Sequence, residues 1–239
     1  MAAASEYTLE PIRDRAEFTL FRARQRGTPM PLLAVAPIAE PPPPRSLQRL
    51  EHEYSLTAEL EHTWAAKPLA LTRHEGRTIL VLADPGGEPL DCLLERDREQ
   101  SLDLARFLYR AINLATALGH VHERGLIHKD VKPENVLVDD ASHVWLAGFG
   151  IASRLPPERQ TPVSRDSIEG TLAYMSPEQT GRMKSMTVRT ANRVTLPICS
   201  IIVITMNADL TYHQLSADPG CQRGVPPSMH GYSGAIHCN

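Results

Sequence analysis

The stretch His128-Lys129-Asp130-Val131-Lys132-Pro133-Glu134-Asn135 limits what this chain can fold into more than any other feature. It crowds acid, base and amide side chains between a long helical pattern and the apolar run Val136-Leu137-Val138. Polar residues bracketed in this way predict a loop held in place by the core on either side of it. The helical pattern opens at Ser101, carries Leu104, Leu108, Ala111, Ile112, Ala115 and Leu118 on one stripe, and stops at Gly125. Such a stripe needs a partner to bury it.

Two further markers follow in order. Gly148-Phe149-Gly150 comes after the strand-like Val144-Trp145-Leu146, and Gly170-Thr171-Leu172-Ala173-Tyr174-Met175-Ser176-Pro177-Glu178 comes after that. Together the three resemble the catalytic loop, the Asp-Phe-Gly position and the end of the activation segment of the Ser/Thr protein kinase family. The resemblance implies ATP and Mg2+ as cofactors and a protein substrate or signalling partner. It implies Asp130 as the base that accepts the substrate hydroxyl proton, Lys132 on the transferred phosphoryl group and the nucleotide, Asn135 on magnesium, and Leu137 at the nucleotide. A lysine two residues after the aspartate is the Ser/Thr form of the loop. Gly148, Phe149, Gly150, Thr171 and Glu178 would belong to the activation segment, with Thr171 at the position that contacts the catalytic aspartate and lysine. His128 with Phe149 resembles the family's packed spine.

The region before these motifs reads as a small sheet and one helix. Residues 18 to 38 carry apolar runs around Gly27, and Arg77 to Ala83 form a buried-strand run. Between them, Ser46 is a candidate cap for a helix with Leu47, Leu50, Tyr54 and Ala58 on one face. Asp84-Pro85-Gly86-Gly87 reads as a hinge before the short apolar segment Pro89 to Leu94. The expected fold class is α+β: a bilobal kinase-like fold with a β-rich N-lobe over residues 1–84, a partial and mainly helical C-lobe over 85–184, and an atypical tail over 185–239. The stretch from His52 to Leu94, with GFGIASRLPPERQ and AYMSPEQTGRM, also resembles the N-terminal kinase module of large bacterial proteins that join it to an ATPase region and a sensor histidine kinase. This likeness stops near Met183.

Several groups that phosphoryl transfer normally needs are absent from the pattern. Gly27 is the only glycine before Gly76, so no glycine-rich loop can bring backbone amides close to phosphates. The first lysine is Lys67, which leaves no strand lysine to bridge the phosphates to the next helix, and Arg22 or Arg24 are the substitutes on offer. Glu53, the acid that such a lysine would meet, reads as a solvated helix charge. Gly148 stands where the family has its metal-binding aspartate, and Lys129 replaces the usual arginine with a point charge that lacks a bidentate fork. The expected function is phosphoryl transfer from ATP to protein Ser/Thr hydroxyls, weakened in this chain. The alternative is a pseudokinase that acts as a regulatory or interaction module.

Composition narrows the partners. A formal net charge of -3 supplies no field to gather nucleic acid, and the N-terminus lacks a basic segment followed by an apolar one, so the expected location is cytoplasmic. Cys92, Cys199, Cys221 and Cys238 show no C-x-x-C spacing, which argues against a disulfide framework and a zinc ribbon. The apolar stretch Leu196 to Met206 includes Pro197 and is too short for a membrane-spanning helix. After Met186 the only charged residues are Arg189, Arg193, Asp209, Asp218 and Arg223, and the tail reads as a poorly ordered, frame-shifted continuation.

Overall fold

A computed structural model describes residues 7–97, 103–154, 170, 171 and 174. The expected tail and Glu178 lie outside these residues. Strands β1 (Tyr7–Asp14), β2 (Phe18–Gln25), β3 (Leu32–Pro37), β4 (Pro68–His74) and β5 (Arg77–Ala83) form one five-stranded antiparallel sheet in the order β1-β2-β3-β5-β4.

The period-two rule accounts for the apolar run of β3, which is buried along its whole length. Leu33 and Val35 face one side, where they pack with Leu20, Leu50, Leu80 and Leu82. Leu32, Ala34 and Ala36 face the other, with Tyr7, Ala23, Ile79 and Val81. The β4–β5 hairpin turns on Glu75 and Gly76, at φ 50° and 83°, the left-handed pair that suits a two-residue hairpin loop.

Helix α1 spans Pro44–Ser55 and buries Ser46, Leu50 and Glu53. This corrects the expected cap and the expected face. Pro44, with no N–H and a fixed φ, opens the helix behind Pro43, so Ser46 sits inside the first turn and makes no cap. The buried stripe is rotated accordingly, and Tyr54 and Ala58 are exposed.

Beyond the hinge, β6 (Glu88–Pro89) pairs with β8 (Val136–Val138), which pairs with β9 (Val144–Leu146), while β7 (Leu126–Ile127) pairs with β10 (Ser153–Arg154). Helix α2 is Leu90–Arg96 and helix α3 is Leu104–Glu123. Asp103 caps α3, its carboxylate accepting from the N–H groups of Ala105 and Arg106 at 3.0 and 3.2 Å. Ser101, the expected start, lies outside the described residues.

Helix α3 buries Leu114, Ala117, Leu118 and Val121 in a core shared with Trp64, Leu126, Val136, Leu146 and Phe149. The expected stripe is therefore split. Leu118 is in the core, whereas Leu104, Leu108 and Ile112 are 60%, 48% and 61% exposed. The helix carries two apolar faces, and the one that meets β7 and β9 is the one that is covered. Two hydrogen bonds tie the sheet region to this core: Ala66 N–H to the Leu146 carbonyl at 2.9 Å and Leu146 N–H to the Trp64 carbonyl at 3.0 Å.

Candidate active site

The loop between β7 and β8 carries His128 to Asn135, with a single 3-10 turn over Pro133–Asn135. Local bonds set its shape. Asn135 N–H donates to the Lys132 carbonyl at 2.9 Å, and the Asn135 carbonyl accepts from Ala147 N–H at 2.9 Å, which anchors the loop to the end of β9. Lys129 adopts φ 66°, the left-handed conformation, as the chain turns into Asp130.

His128 is buried, its ring centroid 4.5 Å from that of Phe149. Asp130 N–H donates to His128 Nδ1 at 3.3 Å, so Nε2 carries the proton and donates to the Ala147 carbonyl at 3.0 Å. Burial pushes the imidazole pKa down to about 4, and the neighbouring Asp130 only partly offsets this. The ring is a neutral structural post, with both nitrogens used to hold the loop.

Asp130, Lys132, Asn135 and Thr171 form one connected network. Thr171 Oγ1 donates to Asp130 Oδ1 at 2.9 Å and accepts from Lys132 Nζ at 2.9 Å. Lys132 Nζ lies 3.1 Å from Asp130 Oδ2. Asn135 Nδ2 donates to the Asp130 carbonyl at 2.8 Å and to Asp130 Oδ2 at 3.0 Å. The carboxylate is thus oriented from three sides, as a general base must be to receive a proton from a defined direction.

The opposite end of the site differs from what a metal would need. Gly148 has φ 79°, and a Cβ placed on it would lie 2.7 Å from Asn135 Cγ and Oδ1 and 2.8 Å from Nδ2. A side chain there would have to displace the Asn135 amide, and the glycine itself brings no carboxylate to this position. Asn135 Oδ1, the remaining oxygen for a cation, accepts from Arg15 Nη1 at 3.2 Å. Magnesium requires near-octahedral oxygen ligation at about 2.0–2.1 Å. The residues present do not fit that ion.

Glu53 corrects a second expectation. It is 5% exposed, not solvated, and its Oε1 accepts from Gly148 N–H at 3.2 Å. Burial raises its pKa to about 7, against the pull of the Phe149 and Gly148 N–H groups and of Arg15. The acid that lacks a strand lysine has turned to the backbone of the Gly-Phe-Gly turn.

Neither Arg22 nor Arg24 reaches the site. Arg22 Nε pairs with Asp84 at 3.3 Å, and Arg24 is exposed. The cation that does reach it, Arg15, carries no signal in the sequence: it sits in the turn between β1 and β2, and only the fold brings that turn to Asn135. Leu137 is 1% exposed and packs with Leu20, Leu33, Leu82 and Ala147. A surface cavity of about 680 Å³ lies behind the hinge, lined in part by Lys67, Leu69, Asp84 and Trp145, and includes none of the catalytic-loop residues.

A β-rich region joined by a hinge to a helical region, with an Asp-x-Lys-x-x-Asn loop packed on a Gly-Phe-Gly turn, defines the protein kinase fold. The sequence profile of the protein kinase domain family matches residues 39–207, and the chain belongs to this family. The match runs past Met183. The chain is 42% identical over 129 residues to the Arabidopsis thaliana serine/threonine-protein kinase AtPK1/AtPK6, covering 54% of this chain and 26% of the relative. It is 30% identical over 133 residues to the mouse cAMP-dependent protein kinase catalytic subunit PRKX, covering 55% and 35%. It is 31% identical over 138 residues to human ribosomal protein S6 kinase alpha-2, covering 58% and 18%. The matches thus span from under a fifth to about a third of these relatives' lengths. In general the family uses ATP and Mg2+. No helix among the described residues is long and apolar enough to cross a membrane.

Proposed function

We propose that this domain transfers a phosphoryl group from ATP to Ser or Thr hydroxyls of a protein, at a rate far below that of a complete kinase. The observation that carries this reading is the Asp130 carboxylate, bonded to Thr171 at 2.9 Å and to Asn135 at 3.0 Å and paired with Lys132 at 3.1 Å. An acceptor hydroxyl beside Asp130 gives up its proton to that carboxylate. Its oxygen bonds to the γ-phosphorus while the bond to the β,γ-bridging oxygen breaks, and ADP leaves. Lys132 offers the positive charge that steadies the moving phosphoryl group. The reduced rate follows from the misfit of magnesium, which would otherwise stabilise transition-state charge by several kcal/mol, worth orders of magnitude in rate.

The likeness to the bacterial hybrid module supports a role in bacterial signalling. Incorporation of labelled phosphate from ATP into a Ser/Thr peptide library tests the reading. A slow signal abolished by Asp130→Asn is the expected result; an equal signal in both chains would overturn it.

A second reading, a pseudokinase that docks a signalling partner without moving phosphate, is favoured by the Arg15 bond to Asn135 and by the burial of Leu137. No signal in either chain, with the fold intact by circular dichroism, selects that reading.

A further inference from the structure

The turn between β1 and β2 reads Asp14-Arg15-Ala16-Glu17 and closes with Arg15 N–H donating to the Phe18 carbonyl at 2.8 Å. It contains no glycine, and it is clamped on both sides of Arg15. On one side Arg13 Nε meets Asp91 at 2.8 Å and Arg13 Nη1 donates to Glu95 at 2.9 Å, which fastens the hairpin to α2. On the other, Glu17 meets Arg45 and Arg49, each at 3.1 Å, which fastens it to α1. Residues 13 and 17 therefore hold the turn against two helices while residue 15 enters the site between them.

Once there, the guanidinium is shielded from solvent. Its Nη1 donates to Asn135 Oδ1, and its buried Nε and Nη2 have no hydrogen-bond partner among the described residues. The carboxylates of Glu53, Asp91, Glu134 and Asp130 all act on it. Burial lowers the pKa of Arg15, but a guanidinium is so strong a base that it keeps its charge even when desolvated. A shielded guanidinium bonded to the amide oxygen of Asn135 puts at that oxygen the kind of positive charge a divalent ion would bring.

We propose that Arg15 is the resident cation of this site, occupying the position on Asn135 that a divalent metal would otherwise take. Arg15 and Gly148 are then complementary: the glycine makes room for the Asn135 side chain, and the arginine supplies the charge. The consequence is a domain whose response to divalent ions is suppressed. The inference rests on Asn135 as the metal position that the kinase resemblance implies, from which the reduced rate of the proposed function also follows, but it makes no use of phosphoryl transfer.

Mn2+ binding to the full chain, followed by electron paramagnetic resonance and calorimetry without nucleotide, tests it. The wild type is expected to show no saturable Mn2+ uptake that depends on Asn135. Arg15→Ala should bind Mn2+ at least tenfold more tightly than the wild type, and the gain should vanish when Asn135→Ala is added. Arg15→Gln serves as the milder variant if the alanine chain does not fold. If neither variant folds, the wild type compared with Asn135→Ala decides: Mn2+ uptake that depends on Asn135 overturns the proposal, and its absence supports it. Wild-type Mn2+ uptake abolished by Asn135→Ala would overturn it. So would folded Arg15 variants whose Mn2+ affinity is unchanged. A failure of phosphate transfer, by contrast, touches the proposed function and leaves this readout unaffected.

Discussion

Gly148 and Asn135 are in such close contact that the Asn135 amide occupies the volume of a Cβ on residue 148, at 2.7 Å. The Asn135 amide is itself fixed by its bonds to Asp130 and Arg15, so it cannot swing aside without breaking them. Restoring the family's aspartate at this position would put a side chain into that contact and force a β-carbon onto φ 79°.

Gly148→Asp is therefore expected to destabilise the domain, by about 2–4 kcal/mol, and to restore no metal-dependent rate. Gly148→Ala should have a similar effect from the backbone and Cβ alone. Urea unfolding checks the magnitude. In a double-mutant cycle with Asn135→Ala the clash is relieved, and the two losses should be less than additive.

Glu53 and His128 give opposite dependences of stability on pH. Glu53 has a folded pKa raised to about 7, so its favourable contribution is complete in acid and is lost as pH rises through about 7. His128 is depressed to about 4, so its contribution is present above the ordinary imidazole pKa and is lost as pH falls through about 4. Between these limits the two slopes oppose each other. Glu53→Gln removes one of them, and its stability relative to the wild type should improve by on the order of 2–3 kcal/mol from pH 4.5 to pH 8. Chemical unfolding at a series of pH values reads this directly; a pH-independent difference would show that Glu53 does not titrate in the folded range.

Thr171 links Asp130 to Lys132 across a separation of about forty residues. Thr171→Val keeps the shape and removes the hydroxyl, and should lower the proposed transfer roughly 10–100-fold through misplacement of Asp130 and Lys132. Thr171→Ser should retain most of it. The comparison of initial rates at saturating peptide separates lost positioning from lost binding.

Phe149 is fully buried, against His128 on one side and Trp64 at a ring separation of 6.5 Å on the other. Phe149→Ala should cost about 3–5 kcal/mol, since it opens a cavity where the catalytic loop meets the core of α3. A melting curve that broadens as well as shifts would show that the loop loosens before the rest unfolds.

The family was legible in the sequence because its markers are local. The residues from His128 to Asn135, the Gly-Phe-Gly turn and Thr171 each lie in a short segment that its own order of residues marks out. The strand at Arg77–Ala83 was equally readable, from its apolar run. The start of α1 was misread because a serine inside the helix resembles a cap, and only the preceding prolines displace it.

Pattern and chemistry along the chain determined which residues could share a strand face, a turn or a catalytic loop, since these depend on neighbours within a few positions. The tertiary structure alone decided which of the two apolar faces of α3 is covered, that Glu53 bonds the backbone of Gly148, and that Arg15 reaches Asn135. A helix period names a face without naming what meets it. A charged group likewise becomes buried, shifted or paired only when a distant segment excludes water from around it, and Arg15 and Asn135 are 120 residues apart in the chain.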